Sequence, residues 1–110
     1  MEKIAEQGLL YDFYGSLLTA HQQDIYEKLV YEDQSLNEIA AQEGISKQAV
    51  HDLSRRCTAQ LEEYEEKLHM IRRFHRVKAQ LAELQKIPEI AENEAAMRLI
   101  GGIEDTMNDK

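Results

Sequence analysis

The sequence is poor in the residues that break or cross-link a chain. Its 110 residues include one proline, five glycines and one cysteine. With so few breakers and few β-branched runs, a fold of short strands and turns is excluded, and an all-α fold is predicted. The single cysteine, Cys57, excludes an intrachain disulfide and is typical of a protein kept in the reducing cytosol. We therefore expect a helical, cytoplasmic protein.

Long apolar runs are missing as well. No run approaches the roughly 18 residues that span a bilayer, and the first residues, MEKIAEQ, are charged and unlike a signal peptide. We expect no membrane insertion. The length suits one domain with a modest core.

Acidic residues outnumber basic ones, and the excess is uneven. The formal net charge is −8. Residues 1–46 carry two basic and nine acidic side chains (−7), residues 47–88 nine and six (+3), and residues 89–110 two and six (−4). Because overall negative charge disfavours non-specific binding to phosphates, a basic working surface is expected only in the middle third.

Residues 35–57 have the pattern of a helix-turn-helix. Ser35 and Glu38 form a capping box, which begins a helix. Gly44 fits the left-handed position that ends it, and Ser46 is a second N-cap. The apolar side chains at helical spacing are Leu36, Ile39 and Ala40 in the first helix and Ala49, Val50 and Leu53 in the second. Such a pair is the core of many DNA-binding modules.

Further helices flank this motif. Apolar spacing predicts helices over 4–18 and 20–31 before it. Residues 46–87 contain no glycine or proline, and their apolar stripe steps sideways at Phe74, which favours a break near residues 69–73 over one continuous helix. This apolar stripe is longer than the core of the motif needs. Its surplus part is expected to pack on the N-terminal helices or on a second copy of the chain.

The last part of the chain is predicted to follow the main domain as a short helix and a tail. Pro88 suits a first helical position, and a short helix is expected over 89–100, ended by Gly101 and Gly102. We thus predict a helix-turn-helix domain with a long helical extension over 1–87, followed by a short helix and a flexible acidic tail over 88–110.

Two groups of side chains are candidates for nucleic-acid contact. The first lies in the second motif helix and comprises Ser46, Lys47, Gln48, His51 and Arg55. Amide and guanidinium groups can address base edges, and Lys47 with the helix N-terminus can hold a phosphate, although Asp52 opposes this. The second is a basic patch of Arg72, Arg73, Arg76 and Lys78. This patch could equally pair with acidic side chains.

Catalysis and metal binding find no support in the sequence. The four histidines have no second ligand at a usual metal spacing, so no metal and no other cofactor is predicted. A glycine-rich phosphate loop is missing, and so is a recognisable nucleophile motif. We expect a protein that is not an enzyme.

From Leu18 to Cys57 the sequence resembles region 4 of bacterial sigma factors. The matching features are the Leu18-Thr19-x-x-Gln22 opening, the Ser35-Leu36-x-Glu38-Ile39-Ala40 helix and the Gly44-Ile45-Ser46 turn. With LLYDFYGSLLT before the motif and EEYEEKL after it, residues 1–85 are more closely similar to the YlxM-like family of small helix-turn-helix proteins of Gram-positive bacteria.

This resemblance implies a regulatory role in the signal recognition particle (SRP) pathway, with SRP RNA, the SRP GTPase or its receptor as partners. The sigma-like motif alone implies promoter DNA instead. Two alternatives stay open: a homodimeric transcription regulator that binds DNA, and a protein-interaction module without nucleic-acid contact.

Overall fold

The computed structural model describes residues 3–108, and these residues form an all-α structure, as predicted. No strand lies in this range. The helices are α1 (Lys3–Tyr14), α2 (Ala20–Val30), α3 (Leu36–Glu43), α4 (Lys47–Leu68), α5 (Met70–Gln85), α6 (Pro88–Ala91) and α7 (Glu94–Asn108), with a 3-10 turn at Gly15–Leu17.

The chain packs as two compact units that divide after His69. Unit 1 holds α1 to α4, and unit 2 holds α5 to α7. The sequence predicts a domain boundary at residue 87, but α5 packs with α6 and α7. Helix α5 is therefore part of the second unit and not an extension of the first.

The helix-turn-helix lies in unit 1 and is built as expected. Ser35 caps α3 in a complete capping box with Glu38, and Gly44 ends it at φ 69°. Ile25, Ile39 and Val50 are fully buried in one cluster with Ala40, so α2, α3 and α4 share a single core. Because apolar burial stabilises by about 25 cal/mol per Å², this shared cluster holds the two motif helices against each other.

Helix α1 packs along the middle of α4. The hydroxyl of Tyr14 donates to Glu65 Oε1 at 2.6 Å, and the Tyr14 and Tyr64 rings lie 6.0 Å apart. Gly15, which follows Tyr14, leaves room for the Tyr11 ring of α1, since a Cβ there would stand 2.7 Å from that ring. Part of the surplus apolar stripe of α4, including the buried Leu61, therefore packs within this unit, where α1 meets α4.

The expected break after α4 is present, at a single residue. His69 adopts φ 58° and ψ 27°, a left-handed conformation, and α5 begins at Met70. The His69 N–H still donates to the Glu65 carbonyl at 2.8 Å. The helix thus ends through the backbone angles of one histidine, a residue type that tolerates this region better than most.

The predicted length of the C-terminal helix was wrong. Pro88 does occupy the start of α6, but the next helix runs through Gly101 and Gly102 to Asn108. The Asn93 side chain accepts from the Ala96 N–H at 2.9 Å, and Ile100 is buried. Capping and burial together outweigh the cost of about 1 kcal/mol for each helical glycine. The helix takes in most of the tail predicted to be flexible; residues 109–110 lie outside the described range.

Candidate nucleic-acid interface

The N-terminus of α4 is defined by Ser46. Its hydroxyl accepts a hydrogen bond from the Ala49 N–H at 3.0 Å, and its carbonyl accepts from the Val50 N–H at 3.1 Å. The first amides of any helix have no partner within the helix, and the helix dipole adds partial positive charge there. This end of α4 can therefore hold an anionic oxygen such as a phosphate.

One side of α4 is buried and the other faces solvent. Val50, Cys57 and Leu61 are at most 1% exposed, and burial raises the pKa of the Cys57 thiol. At about 100° per residue, the opposite side of the first three turns presents the predicted contact residues. We call this exposed set the reading face: Ser46, Lys47, Gln48, His51, Asp52 and Arg55. The structure thus brings the whole first predicted group together.

Two of these side chains are coupled through Asp52. Gln48 Nε2 donates to Asp52 Oδ1 at 3.0 Å, one helical turn apart. The His51 Nδ1 lies 3.9 Å from the same oxygen, so a protonated His51 would pair with it. Asp52 is therefore an organised member of the reading face and not only a charge that opposes binding.

Arg56 is a further contact candidate, outside the group predicted from the sequence. It is exposed and borders a shallow depression with Asp52, Arg55 and Ala59. Helical periodicity in the sequence indicates this exposure, because a helix that buries Val50 and Cys57 turns residue 56 toward solvent. With Arg55 and Arg56 side by side, this edge of the reading face is its most basic part.

The character of α4 changes after Ala59. The next exposed side chains are acidic, at Glu62, Glu63 and Glu66. Lys67 pairs with Glu63 at 3.0 Å, and this pairing raises the pKa of Lys67. Since carboxylates repel phosphates, only the first three turns of α4 suit a nucleic acid.

Ion pairs hold the end of α3, next to the turn of the motif, against α2. The carboxylate of Glu43, the last residue of α3, lies 3.1 Å from Lys28 Nζ and 3.2 Å from His21 Nε2. Lys28 and His21 lower the pKa of Glu43, and Glu43 with Asp24 raises the pKa of Lys28. This network ties α3 to α2 beside the turn that positions α4.

The second predicted group does not form one patch. On α5, Arg72, Arg73 and Arg76 fall within an arc of about 100°, which we call the arginine arc. Lys78 lies about 120° or more away from each of them, and its Nζ stands 5.3 Å from the centre of the Phe74 ring. The arginine arc belongs to unit 2, whereas the reading face belongs to unit 1.

The described part of the chain has neither a candidate membrane span nor a candidate metal cluster. Between residues 3 and 108, no helix combines the length and the apolar character that crossing a membrane requires. Within the same range, no three His, Cys, Asp or Glu side chains are grouped closely enough to hold a metal ion.

A three-helix core that presents a capped, exposed second motif helix defines a helix-turn-helix protein. Comparison with known proteins gives the family. The model of the UPF0122 family, described as "Putative helix-turn-helix protein, YlxM / p13 like", matches residues 1–100. The chain belongs to this family.

Several curated relatives are similar over most of their length. UPF0122 protein STH1464 of Symbiobacterium thermophilum is 42% identical over 103 residues, 94% of this chain and 96% of the relative. UPF0122 protein ABC2295 of Shouchella clausii is 43% identical over 86 residues, 78% and 79% of the two chains. A UPF0122 protein of Bacillus pumilus is 39% identical over 105 residues, 94% and 96% of the two chains.

Proposed function

We propose that this chain is a regulatory protein that binds nucleic acid through the reading face of α4 and catalyses no reaction. The observation that carries the proposal is the division of α4: a buried side that locks it into the motif, and an exposed first half with Lys47, Arg55 and Arg56. Helix-turn-helix proteins place this half of the second helix against base edges. The arginine arc of α5 is a second contact for phosphates.

The cellular setting of this activity is the SRP pathway in the cytoplasm. Its support is the resemblance of residues 1–85 to the YlxM-like family. In this setting the nucleic acid is SRP RNA or DNA, and the SRP GTPase or its receptor is a protein partner. The acidic remainder of the chain, with a net charge of −7 over residues 1–46, favours binding confined to the basic faces.

Titration at several salt concentrations tests the proposal. The protein is added to fluorescent duplex DNA and, separately, to SRP RNA, and anisotropy gives the affinity. Several phosphate contacts predict a log–log salt slope of a few units. Arg55→Ala should weaken binding, while Arg98→Ala, which removes an exposed arginine from α7, should not.

Replacing Arg72, Arg73 and Arg76 together with alanine tests the second contact. Each lost phosphate contact flattens the salt slope by about 0.9 on duplex DNA. If the wild-type protein binds neither nucleic acid at low salt, the proposal is wrong, and a module that contacts only proteins becomes the better account.

A dimeric transcription regulator is the second candidate function. The observation that favours it is exposed apolar surface in unit 2, where Leu99 is 70% and Ile103 45% exposed on α7. A homodimer would cover such side chains, and its two motif helices would lie about 34 Å apart to read one face of DNA. A monomer mass at tens of micromolar protein would count against this candidate.

A further inference from the structure

Asp52 occupies the centre of the reading face. It lies two residues from the buried Val50, about 200° around the helix, so it points almost directly away from the core. Gln48 precedes it by one turn, and Arg55 and Arg56 follow it by one turn. Its side chain is 52% exposed. A carboxylate therefore stands where a helix in the major groove comes closest to the bases.

Gln48 orients this carboxylate. The hydrogen bond from Gln48 Nε2 takes up Asp52 Oδ1, which leaves Oδ2 to accept from a ligand. The Gln48 amide oxygen adds a second acceptor beside it. The centre of the reading face thus offers acceptors, while the donors, Lys47 and Arg55, stand at its edges.

The surroundings of Asp52 favour duplex DNA over RNA as the ligand. Residues 46–59 contain no phenylalanine, tyrosine or tryptophan, so His51 is the one aromatic ring there on which an unpaired base of single-stranded RNA could stack. The major groove of A-form RNA is too narrow for a helix, whereas that of B-form DNA admits one.

An acceptor at this position selects among the bases. Guanine and thymine present acceptors in the major groove and would be repelled. Adenine presents an amino group but places its N7 acceptor beside it, whereas cytosine presents its amino group alone. We infer that Asp52 is a specificity-determining residue that selects a cytosine in the major groove of duplex DNA. The inference rests on the proposed function of the reading face.

Arg55 extends this reading by one base pair. It lies three residues after Asp52 on the same face, about 4.5 Å further along the helix axis. Neighbouring base pairs are separated by about 3.4 Å, and arginine is the usual bidentate partner of guanine O6 and N7. The selected cytosine should therefore stand next to a base pair that presents guanine to Arg55.

Selection of bound duplexes from a randomised pool tests the assignment. The wild-type protein should enrich cytosine at one position beside a guanine, by roughly 5- to 150-fold over other bases. Asp52→Asn replaces the carboxylate with an amide, which pairs with adenine N6 and N7, so the enriched base should change to adenine. Asp105→Asn, an exposed change on α7, should keep cytosine.

The outcomes separate this inference from the proposed function. Asp52→Asn protein that still enriches cytosine at the same position would overturn the role of Asp52 alone. Wild-type protein that binds duplexes without preference, or binds RNA only, would also overturn it but would leave nucleic-acid binding standing. Failure to bind either nucleic acid at low salt would overturn both.

Discussion

The two units differ sharply in how much apolar surface they bury. Unit 1 buries nine apolar side chains among its described residues: Tyr14, Leu18, Ile25, Tyr26, Ile39, Ala40, Val50, Cys57 and Leu61. Between Met70 and Asn108 only Ile71, Leu81 and Ile100 are buried to that degree. The reading face therefore stands on the better-packed part of the molecule.

The difference has a physical cause and a functional consequence. In unit 1 the helices α2, α3 and α4 are capped by Thr19, Ser35 and Ser46 and joined by tight connections, so their apolar sides meet. In unit 2 several apolar side chains, among them Leu99 and Ile103, remain exposed. A rigid platform holds recognition groups in register, and exposed apolar side chains are available to a partner.

The largest expected effect comes from the motif core. Ile39 is fully buried among Ile25, Ala40 and Val50. Ile39→Ala should lower the free energy of unfolding by about 2–5 kcal/mol, because it leaves a cavity in this cluster. Ile103→Ala on α7, where the side chain is 45% exposed, should cost far less. Urea denaturation measures both, and equal losses would remove the contrast between the units.

Backbone conformation gives the next largest effect, with opposite signs at two positions. Gly44 ends α3 at φ 69° with open space around its Cβ position, so Gly44→Ala should cost about 1–2 kcal/mol from conformation alone. His69→Gly should instead stabilise by up to about 1 kcal/mol, since glycine adopts φ 58° freely. Thermal unfolding checks both; a stabilising Gly44→Ala would contradict the account.

Loss of a helix cap should have a somewhat smaller effect. The Ser35 hydroxyl accepts from the Glu38 N–H at 3.1 Å, and the Glu38 side chain accepts from the Ser35 N–H at 3.1 Å. Ser35→Ala should destabilise unit 1 by about 1 kcal/mol. Ser16→Ala, an exposed serine in the 3-10 turn, is the matched control in denaturant unfolding. A loss as large in the control would mean that the cap contributes nothing.

The smallest expected effect is a dependence on acidic pH. Lys28 and His21 lower the pKa of Glu43 below its usual value of about 4.5. The unfolded chain then binds the proton more readily, so this stability is present above pH of about 4.5 and is lost as the pH falls through the lowered pKa. Glu43→Gln should flatten that part of the stability profile. An unchanged acid limb would show that the network does not stabilise α3.

The sequence predicted the features that short-range chemistry decides. The capping box at Ser35, the N-cap at Ser46, the left-handed Gly44 and the break before α5 all follow from residue type and spacing. The path of α7 through Gly101 and Gly102 did not, because the burial of Ile100 is a tertiary contact that no local pattern reveals.

The candidate site likewise combines features that the local sequence predicts with features that depend on the three-dimensional structure. Helical periodicity predicts which residues of α4 are exposed, because Val50 marks the buried side of the helix. The hydrogen bond between Gln48 and Asp52 depends on side-chain rotamers, which the sequence does not specify. Sequence proximity groups Lys78 with three arginines of α5, although Lys78 does not share their face of the helix. Angular position around the helix separates them.

Amide chemical shifts, measured by NMR as duplex DNA is added to the isotopically labelled protein, test the central claim most directly. The account predicts that the largest shifts fall on residues 46–59, at the N-terminus and reading face of α4, with smaller shifts on the arginine arc. The acidic turns at Glu62 to Glu66, on the same helix, are the internal control and should stay unshifted. Binding that leaves residues 46–59 unshifted would contradict the account.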